Sequence, residues 1–260
     1  MNTTALHHLR ARDAAPLFVT GAGISVASGL PTFRGSDPDA IWSNGVLDKG
    51  TLDYFRRFPE RSWAWYLSRF DGLRGAQPNA AHLAVAEIER KRPLTMLITQ
   101  NIDELHQRAG SGQHVEIHGS AYKMRCTNRY CEYGHPRGFM PWDEGVLKAF
   151  RANPSRKTVP RCSNCGKFLR PHVLWFDESY TSHHDYQFNT AMNWLHEATM
   201  IVFIGTSLAV GITEMVIEHG RQTNTPMWII DPHMSESPSP VLKLIQRAAE
   251  DVLPEWAEAM

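Results

Sequence analysis

Four short runs of apolar residues constrain the fold of this chain more than any other feature of its sequence. In each run the apolar residues are continuous instead of alternating with polar ones, which is typical of strands covered on both faces of a parallel sheet. Helical patterns lie between the runs, over residues 80–90 and 183–197. We therefore predict an α/β fold with a doubly wound parallel sheet and a ligand site at the carboxyl ends of its strands. The predicted strands are residues 16–20, 94–99, 200–204 and 226–230.

Two regions interrupt this alternation of strands and helices. Residues 36–78 are rich in aromatic residues and arginines, and predict a small helical insertion. Residues 121–168 hold all four cysteines and four prolines, and predict a small inserted module. The main domain, which we expect to be Rossmann-like, then consists of residues 1–120 and 169–260. A chain of 260 residues is long enough for such a domain to bury a core.

The spacing of the cysteines predicts a metal site. Four residues separate Cys126 from Cys131, and two residues separate Cys162 from Cys165. Two close pairs joined by a loop fit one tetrahedral zinc ion with four thiolate ligands, which leaves no position for water and makes the site structural. Four unrelated reduced thiols are the alternative. It is disfavoured because all four cysteines fall within about 40 residues and none lies elsewhere.

Charge and hydropathy exclude some classes of protein. Because 27 basic residues balance 27 acidic ones, there is no electrostatic reason to expect nucleic acid as a partner. Residues 198–217 are largely apolar, but Gly205, Gly211 and Glu214 interrupt them, and they predict a buried strand, a turn and a helix start instead of a membrane span. Residues 1–16 show no apolar core of a signal peptide. We expect a soluble, cytoplasmic protein without a membrane partner.

A glycine-rich turn follows the first predicted strand. It reads Gly-Ala-Gly-Ile-Ser over residues 21–25. Glycines at such a point allow a tight turn and let backbone N–H groups approach a phosphate at the start of a helix. Val26 stands where the third glycine of a dinucleotide fingerprint would fall. On these residues alone, an ordinary strand-to-helix turn is as good an interpretation as a nucleotide loop.

The longer run GAGISVASGLPTFRG, residues 21–35, closely resembles the opening motif of the sirtuins, the NAD-dependent protein-lysine deacylases. The resemblance extends from about residue 16 to residue 231. It implies an enzyme that binds NAD and an acyl-lysine protein or peptide, transfers the acyl group to ADP-ribose and releases nicotinamide. It also implies zinc at the four cysteines. Further segments that match sirtuin motifs are residues 99–110, 117–120, 169–178 and 205–208.

The resemblance assigns catalytic roles to three residues. His118 matches the base that deprotonates a ribose hydroxyl, and histidine suits this task because its ordinary pKa lies near neutral pH. Asn101 and Asp103 would face the nicotinamide and its ribose, whereas the residues alone also allow a helix cap at this point. The chain has 13 histidines, so composition does not single out one of them.

The cofactor-binding residues come from four segments. Gln100 would contact the ribose, Phe33 would shield the reactive carbon from water, and Arg34 would hold the diphosphate side of the pocket. The alternative for Phe33 is ordinary core packing. Asp231 stands where many sirtuins have asparagine, and a carboxylate there still suits a ribose hydroxyl. The full predicted set is Gly21, Ala22, Gly23, Ser25, Phe33, Arg34, Gln100, Asn101, Ile102, Asp103, Gly205, Thr206, Ser207 and Asp231.

Two further segments bear on the substrate. On a helix, Tyr66 and Arg69 share a face, and this pattern, like residues 31–34, resembles the sirtuin branch that removes succinyl, malonyl and glutaryl groups. The alternative is a solvated arginine on an amphipathic helix. The backbone of residues 173–176 would pair with the substrate peptide as an added strand. The predicted substrate-binding residues are Tyr66, Arg69, Val173, Trp175 and Phe176.

Departures from the family pattern and other activities remain open at this point. Asp177 stands where sirtuins usually have glycine, and the proline common after the Gly-Thr-Ser segment is missing, which puts the loop geometry there in doubt. An NAD glycohydrolase or ADP-ribosyltransferase using the same pocket is the first alternative. A non-enzymatic NAD-binding protein is the second, and the joint presence of His118, Asn101 and Asp103 argues against it.

Overall fold

The structure is a computed structural model in which residues 3–32, 46–209 and 211–260 are described. Nine strands lie in these ranges: β1 (Pro16–Thr20), β2 (Met96–Thr99), β3 (His114–Glu116), β4 (Gly119–Cys126), β5 (Met140–Pro141), β6 (Leu169–Val173), β7 (Met200–Ile204), β8 (Met227–Ile230) and β9 (Leu242–Ile245). The helices of the same ranges are α1 (Thr3–Arg10), α2 (Val46–Lys49), α3 (Leu52–Arg57), α4 (Pro59–Leu73), α5 (Ala80–Lys91), α6 (Leu105–Ala109), α7 (Glu144–Ala152), α8 (Phe188–Glu197), α9 (Gly211–Thr223) and α10 (Ala249–Glu258).

Six parallel strands form the main sheet in the order β3-β2-β1-β7-β8-β9. The first strand, β1, lies at the centre of the sheet. The next two strands, β2 and β3, extend it on one side, and β7, β8 and β9 extend it on the other. This order confirms the predicted doubly wound, Rossmann-like sheet. The direction of winding changes between β1 and β7, so the loops after these two strands border the cleft where this kind of fold binds ligands.

Both faces of the main sheet are buried, which explains the continuous apolar runs. Phe18 and its neighbours on one face pack against α1, α5 and α10. Leu17 and Val19, which point to the opposite face, pack with α8 and α9. The burial of every residue of β1 and β7 therefore comes from helices on both sides of the sheet.

Element boundaries differ in places from the sequence prediction. The strand predicted from residue 94 begins at Met96, because Leu94 lies in a turn and is 58% exposed. The helix predicted from residue 183 begins at Phe188, because a short 3₁₀ turn precedes it and Gln187 is left-handed with φ 49°. Residues 200–204 form a strand and residues 211–217 begin α9, as predicted. Among the described helices, none is long and apolar enough to cross a membrane.

A second sheet, in the order β5-β4-β6, is antiparallel and starts directly after His118. It shares one hydrophobic core with α3 and α4, which lie within the predicted helical insertion. Trp63 of α4 is fully buried there, and its indole N–H donates to the carbonyl of Leu169 in β6 at 2.8 Å. The sequence predicts the helical insertion and the cysteine module as separate regions, but the two pack together in this one core.

Candidate active site

The glycines after β1 and β7 pack backbone against backbone. The amide of Gly23 donates to the carbonyl of Gly205 at 2.8 Å, and a Cβ on Gly23 would lie 2.5 Å from the Gly205 Cα. Gly205 is also left-handed, with φ +56°. Side chains at these positions would force the two loops apart. The glycines are therefore required by the contact of the two loops, whatever else the loops bind.

The loop after β1 continues as a 3₁₀ helix, residues Ala22–Ser28. The side chain of Asn79 holds it, because its amide donates to the carbonyl of Ile24 at 2.8 Å and to the hydroxyl of Ser28 at 3.0 Å. The same asparagine caps α5 by accepting from the amide of Ala81. The loop is thus tied to a helix of the main core.

Three of the predicted residues meet in a buried polar cluster. The hydroxyl of Ser25 donates to a carboxylate oxygen of Asp103 at 2.8 Å. The side-chain amide of Asn101 donates to that hydroxyl and to the carbonyl of Gly21, both at 3.1 Å. Burial raises the pKa of Asp103, whose other oxygen accepts from the amide of Leu105 at 3.0 Å. Asp103 therefore caps the turn before α6 and also belongs to the polar cluster.

His118 follows β3 at the same edge of the sheet. Its Nδ1 lies 3.0 Å from the carbonyl oxygen of Gln100. Since a carbonyl can only accept, Nδ1 carries the proton and Nε2 keeps its lone pair. Burial lowers the pKa of His118 to about 4, while the bond to Gln100 acts in the opposite direction. The imidazole is therefore neutral at pH 7, and its pKa is shifted further than the sequence argument assumed.

Tyr180 contacts this imidazole and was not among the predicted site residues. Its ring stacks on His118, with centroids 5.9 Å apart and planes at 15°, and on Phe188, with centroids 5.6 Å apart. Its hydroxyl accepts from the amide of Ile212 in α9 at 3.1 Å. No spacing or pattern in the sequence links these residues, because three separate segments supply them.

Gln100 and Thr206 join the loops on either side of the cleft. The side-chain amide of Gln100 donates to the hydroxyl of Thr206 at 3.1 Å and to the carbonyl of Thr20 at 3.2 Å. Ser207 is exposed. Asp231 follows β8 and is half-buried, and one of its carboxylate oxygens accepts from two backbone amides of the next turn. The remaining predicted cofactor residues are Ala22 and Ile102, both half-buried, and Phe33 and Arg34, which lie outside the described residues.

Polar groups of the kind that NAD requires are therefore gathered at the carboxyl edge of the main sheet. Asn101 and Asp103 can offer an amide and a carboxylate to a carboxamide, and Gln100 and Thr206 can serve ribose hydroxyls. Burial strengthens such hydrogen bonds because the local dielectric is low. The residues present fit a dinucleotide.

Tyr66 and Arg69 lie on α4, as predicted. Tyr66 is 3% exposed and stacks on Trp175, with ring centroids 6.3 Å apart. The guanidinium of Arg69 lies 3.9 Å from the ring centroid of Trp65 and donates to its carbonyl at 3.0 Å. Burial raises the pKa of Tyr66 and lowers that of Arg69. Arg69 is half-buried on an aromatic surface, which disfavours the interpretation of a solvated arginine.

The segment predicted to bind the peptide passes directly beside His118. Val173 ends β6, and the amide of Leu174 donates to the carbonyl of His118 at 2.8 Å. Trp175 is buried against Tyr66, and Phe176 is 45% exposed. The segment therefore connects the candidate base to the aromatic surface of α4.

The four cysteines form one cluster. Their sulfur atoms all lie within 4.8 Å of one another. Cys126 and Cys165 are 3.4 Å apart at sulfur, and Cys131 and Cys162 are 3.6 Å apart. Tetrahedral zinc with bonds of about 2.3 Å places its thiolates about 3.8 Å apart, so the four residues fit this ion. The cluster lies in the core shared with α4 and β6, where zinc would fasten the loops of the second sheet.

Comparisons with known proteins agree with this geometry. A sequence model described as the Sir2 family matches residues 21–211. The NAD-dependent protein deacylase of Leptospira interrogans (serovar Lai) is 34% identical over 238 residues, which cover 91% of this chain and 89% of that protein. A Sir2 homologue solved with NAD is 32% identical, has a TM-score of 0.79, and covers 99% of this chain and 93% of its own. A Sir2 protein solved with a p53 peptide and NAD+ also has a TM-score of 0.79, at 28% identity, with 99% and 98% coverage.

Proposed function

The chain belongs to the Sir2 family of NAD-dependent protein deacylases, and from this premise we propose that it prefers lysines carrying succinyl, malonyl or glutaryl groups over acetyl-lysine. The observation that carries the proposal is the position of Arg69. Arg69 is half-buried on α4, one turn from Tyr66, and Tyr66 stacks on Trp175 in the segment beside His118. A cation held there suits an acyl group that ends in a carboxylate.

Each member of this pair has a distinct part in the proposed specificity. The guanidinium of Arg69 remains charged, because an arginine keeps its proton at any pH at which the protein works. Because burial raises the pKa of Tyr66, its hydroxyl remains protonated and able to donate a hydrogen bond. Both groups therefore donate to an acidic acyl group, whereas acetyl offers no carboxylate to receive them.

The proposed mechanism assigns the proton transfer to His118. Bound NAD supplies the ribose carbon that accepts the acyl oxygen as nicotinamide leaves. Nε2 of His118 takes the proton of a ribose hydroxyl, while Nδ1 stays on the carbonyl of Gln100 and fixes the tautomer. Asn101, Asp103 and Ser25 orient the nicotinamide end through their shared hydrogen bonds. In the net reaction, acyl-lysine, NAD and one water molecule become free lysine, O-acyl-ADP-ribose and nicotinamide.

The experiment that tests the proposal compares acyl groups on one peptide. The enzyme is incubated, with and without NAD, with acetyl-, succinyl-, malonyl- and glutaryl-lysine versions of the peptide. The products are quantified by mass spectrometry. Arg69→Met should reduce desuccinylation by about 10- to 150-fold, the effect of losing a charge-assisted hydrogen bond of about 1.5–3 kcal/mol, and reduce deacetylation much less. Arg61→Met, at an exposed position of the same helix, is the matched control.

Two results would contradict the proposal. If Arg69→Met lost the same fraction of its rate on succinyl and acetyl peptides, the proposed contact between Arg69 and a carboxylate would be refuted. Consumption of NAD at the same rate without any peptide would instead indicate a glycohydrolase or an ADP-ribosyltransferase using this pocket.

A further inference from the structure

An aspartate next to the peptide-binding segment binds a helix that is distant in sequence. The carboxylate of Asp177 accepts from the amide of Leu52 at 2.7 Å and from the amide of Asp53 at 3.1 Å. These amides open α3, which also has a local cap, since the hydroxyl of Thr51 accepts from the amide of Tyr54 at 3.1 Å. Thr51 thus already caps α3 locally. The contact of Asp177 in addition joins two segments 125 residues apart.

A third hydrogen bond joins the same two segments. The amide of Phe176 donates to the carbonyl of Gly50 at 3.0 Å. Residues 176 and 177 together therefore hold residues 50–53 by three hydrogen bonds. On its other side the segment is held by Leu174, whose amide donates to His118. Asp177 accepts both of the hydrogen bonds from the first residues of α3, whereas the bond of Phe176 is to Gly50, which precedes that helix.

A buried ion cluster fixes the middle of the segment independently. Glu178 accepts from the amide of Trp175 at 3.1 Å, and it binds the guanidinium groups of Arg125 and Arg170, both 3% exposed. Arg170 also lies over the indole of Trp175, and because none of these contacts involves Asp177, the cluster should hold Trp175 in place without it. Removing Asp177 should therefore loosen the exposed end of the segment and leave its buried turn intact.

We propose that Asp177 is a positioning residue for the acyl-lysine peptide. Its carboxylate holds the exposed end of residues 173–176 against α3, so the peptide meets a backbone that is already ordered. Ordering a loose backbone on binding costs affinity, and a fixed one avoids that cost. The glycine that sirtuins usually have at this position has no side chain to form the tether. This inference rests on the proposed deacylation of a peptide, but not on the kind of acyl group.

Steady-state kinetics of Asp177→Gly test the inference. We expect the KM for the peptide to rise by about 10-fold, which corresponds to a loss of about 1.4 kcal/mol, with kcat and the KM for NAD unchanged. Asp177→Asn keeps one oxygen acceptor for Leu52 and should give an intermediate KM. Thr51→Ala is the matched control, because it weakens the cap of the same helix without touching the tether.

Hydrogen exchange of the backbone amides gives a second readout that needs no activity. Asp177→Gly should speed exchange at the amide of Phe176 and at the start of α3, while the amides of Leu174 and Trp175 keep their protection, whereas Thr51→Ala should affect α3 alone. An unchanged peptide KM in Asp177→Gly, or an equal rise in Thr51→Ala, would overturn the proposal. A wild-type enzyme that removes no acyl group from any peptide would overturn the proposed function instead, and exchange would still decide whether the tether exists.

Discussion

The Nδ1 atom of His118 lies 3.0 Å from the carbonyl oxygen of Gln100, and this contact decides which ring nitrogen is free to act as a base. Gln100 is itself held by its side chain, which donates to Thr206 and to the carbonyl of Thr20. The orientation of the imidazole therefore depends on the loops after β1, β2 and β7. A change in any of these loops should disturb proton transfer as well as cofactor binding.

Replacement of His118 tests its role as the base. His118→Ala should lower the deacylation rate by about 10²–10⁴-fold, the usual contribution of a general base, while NAD still binds. Because the folded-state pKa is lowered to about 4, the wild-type kcat/KM should show no acid limb near 6.5 from this residue. Rate profiles between pH 5.5 and 8 and calorimetry with NAD provide the measurements. A variant that binds NAD and keeps the full rate would refute the assignment.

The contact between the glycine loops gives a prediction with an internal control. Gly205→Ala places a Cβ 2.4 Å from the amide nitrogen of Ile24 at φ +56°. Gly29→Ala has a comparable backbone, φ +82°, but its Cβ meets nothing within 4 Å. Gly29→Ala should cost about 1–2 kcal/mol of stability from the backbone alone. Gly205→Ala should cost about 1–3 kcal/mol more, and it should also raise the KM for NAD.

Urea unfolding and NAD kinetics of the two glycine variants check this prediction. If both lose the same stability and keep the same KM for NAD, the close packing of the two loops has no consequence. The wild-type enzyme, measured at the same pH, supplies the reference for both.

Removal of the predicted zinc should affect the second sheet more than the main one. The cysteine cluster shares its core with Trp63 and Trp175, so loss of the metal should change tryptophan fluorescence strongly. Structural zinc contributes about 10–16 kcal/mol of apparent binding energy at neutral pH, so the module should unfold without it. Metal analysis should find one zinc per chain. Zinc should restore the fluorescence after chelation, and magnesium, which prefers oxygen ligands, should not. A metal-free enzyme with native fluorescence would contradict the site.

Sequence patterns could predict the central strands because those strands are buried on both faces. The strands β3 and β9 were not predicted. His114 and Glu116 leave β3 without an apolar run, and β9 lies at the sheet edge with Lys243 exposed. Motif order could place His118, Asn101 and Asp103 in one site. The contacts of Tyr180 and Asp177 could not be predicted, because each joins residues distant in the chain with no periodicity between them.

Buried histidines should make the fold sensitive to acid. His82 and His106 are nearly inaccessible, with ring centroids 4.8 Å apart, and His82 accepts from the amide of Asn79, which also holds the loop after β1. Burial lowers the pKa of His82 to about 4 and that of His106 well below its usual value. In the unfolded chain both should titrate near 6.5, so the unfolded state binds more protons at mildly acidic pH.

The sign of the effect follows from this difference. The full stability is present above about pH 6.5, and it falls as the pH decreases towards 4. His82 alone should account for a loss of about 2 kcal/mol between pH 7 and pH 5. Urea unfolding at these two pH values should show a smaller loss in His82→Gln than in the wild-type protein, whereas His184→Gln, at an exposed position, should match the wild-type loss. Equal losses in all three proteins would show that His82 is not held neutral by burial.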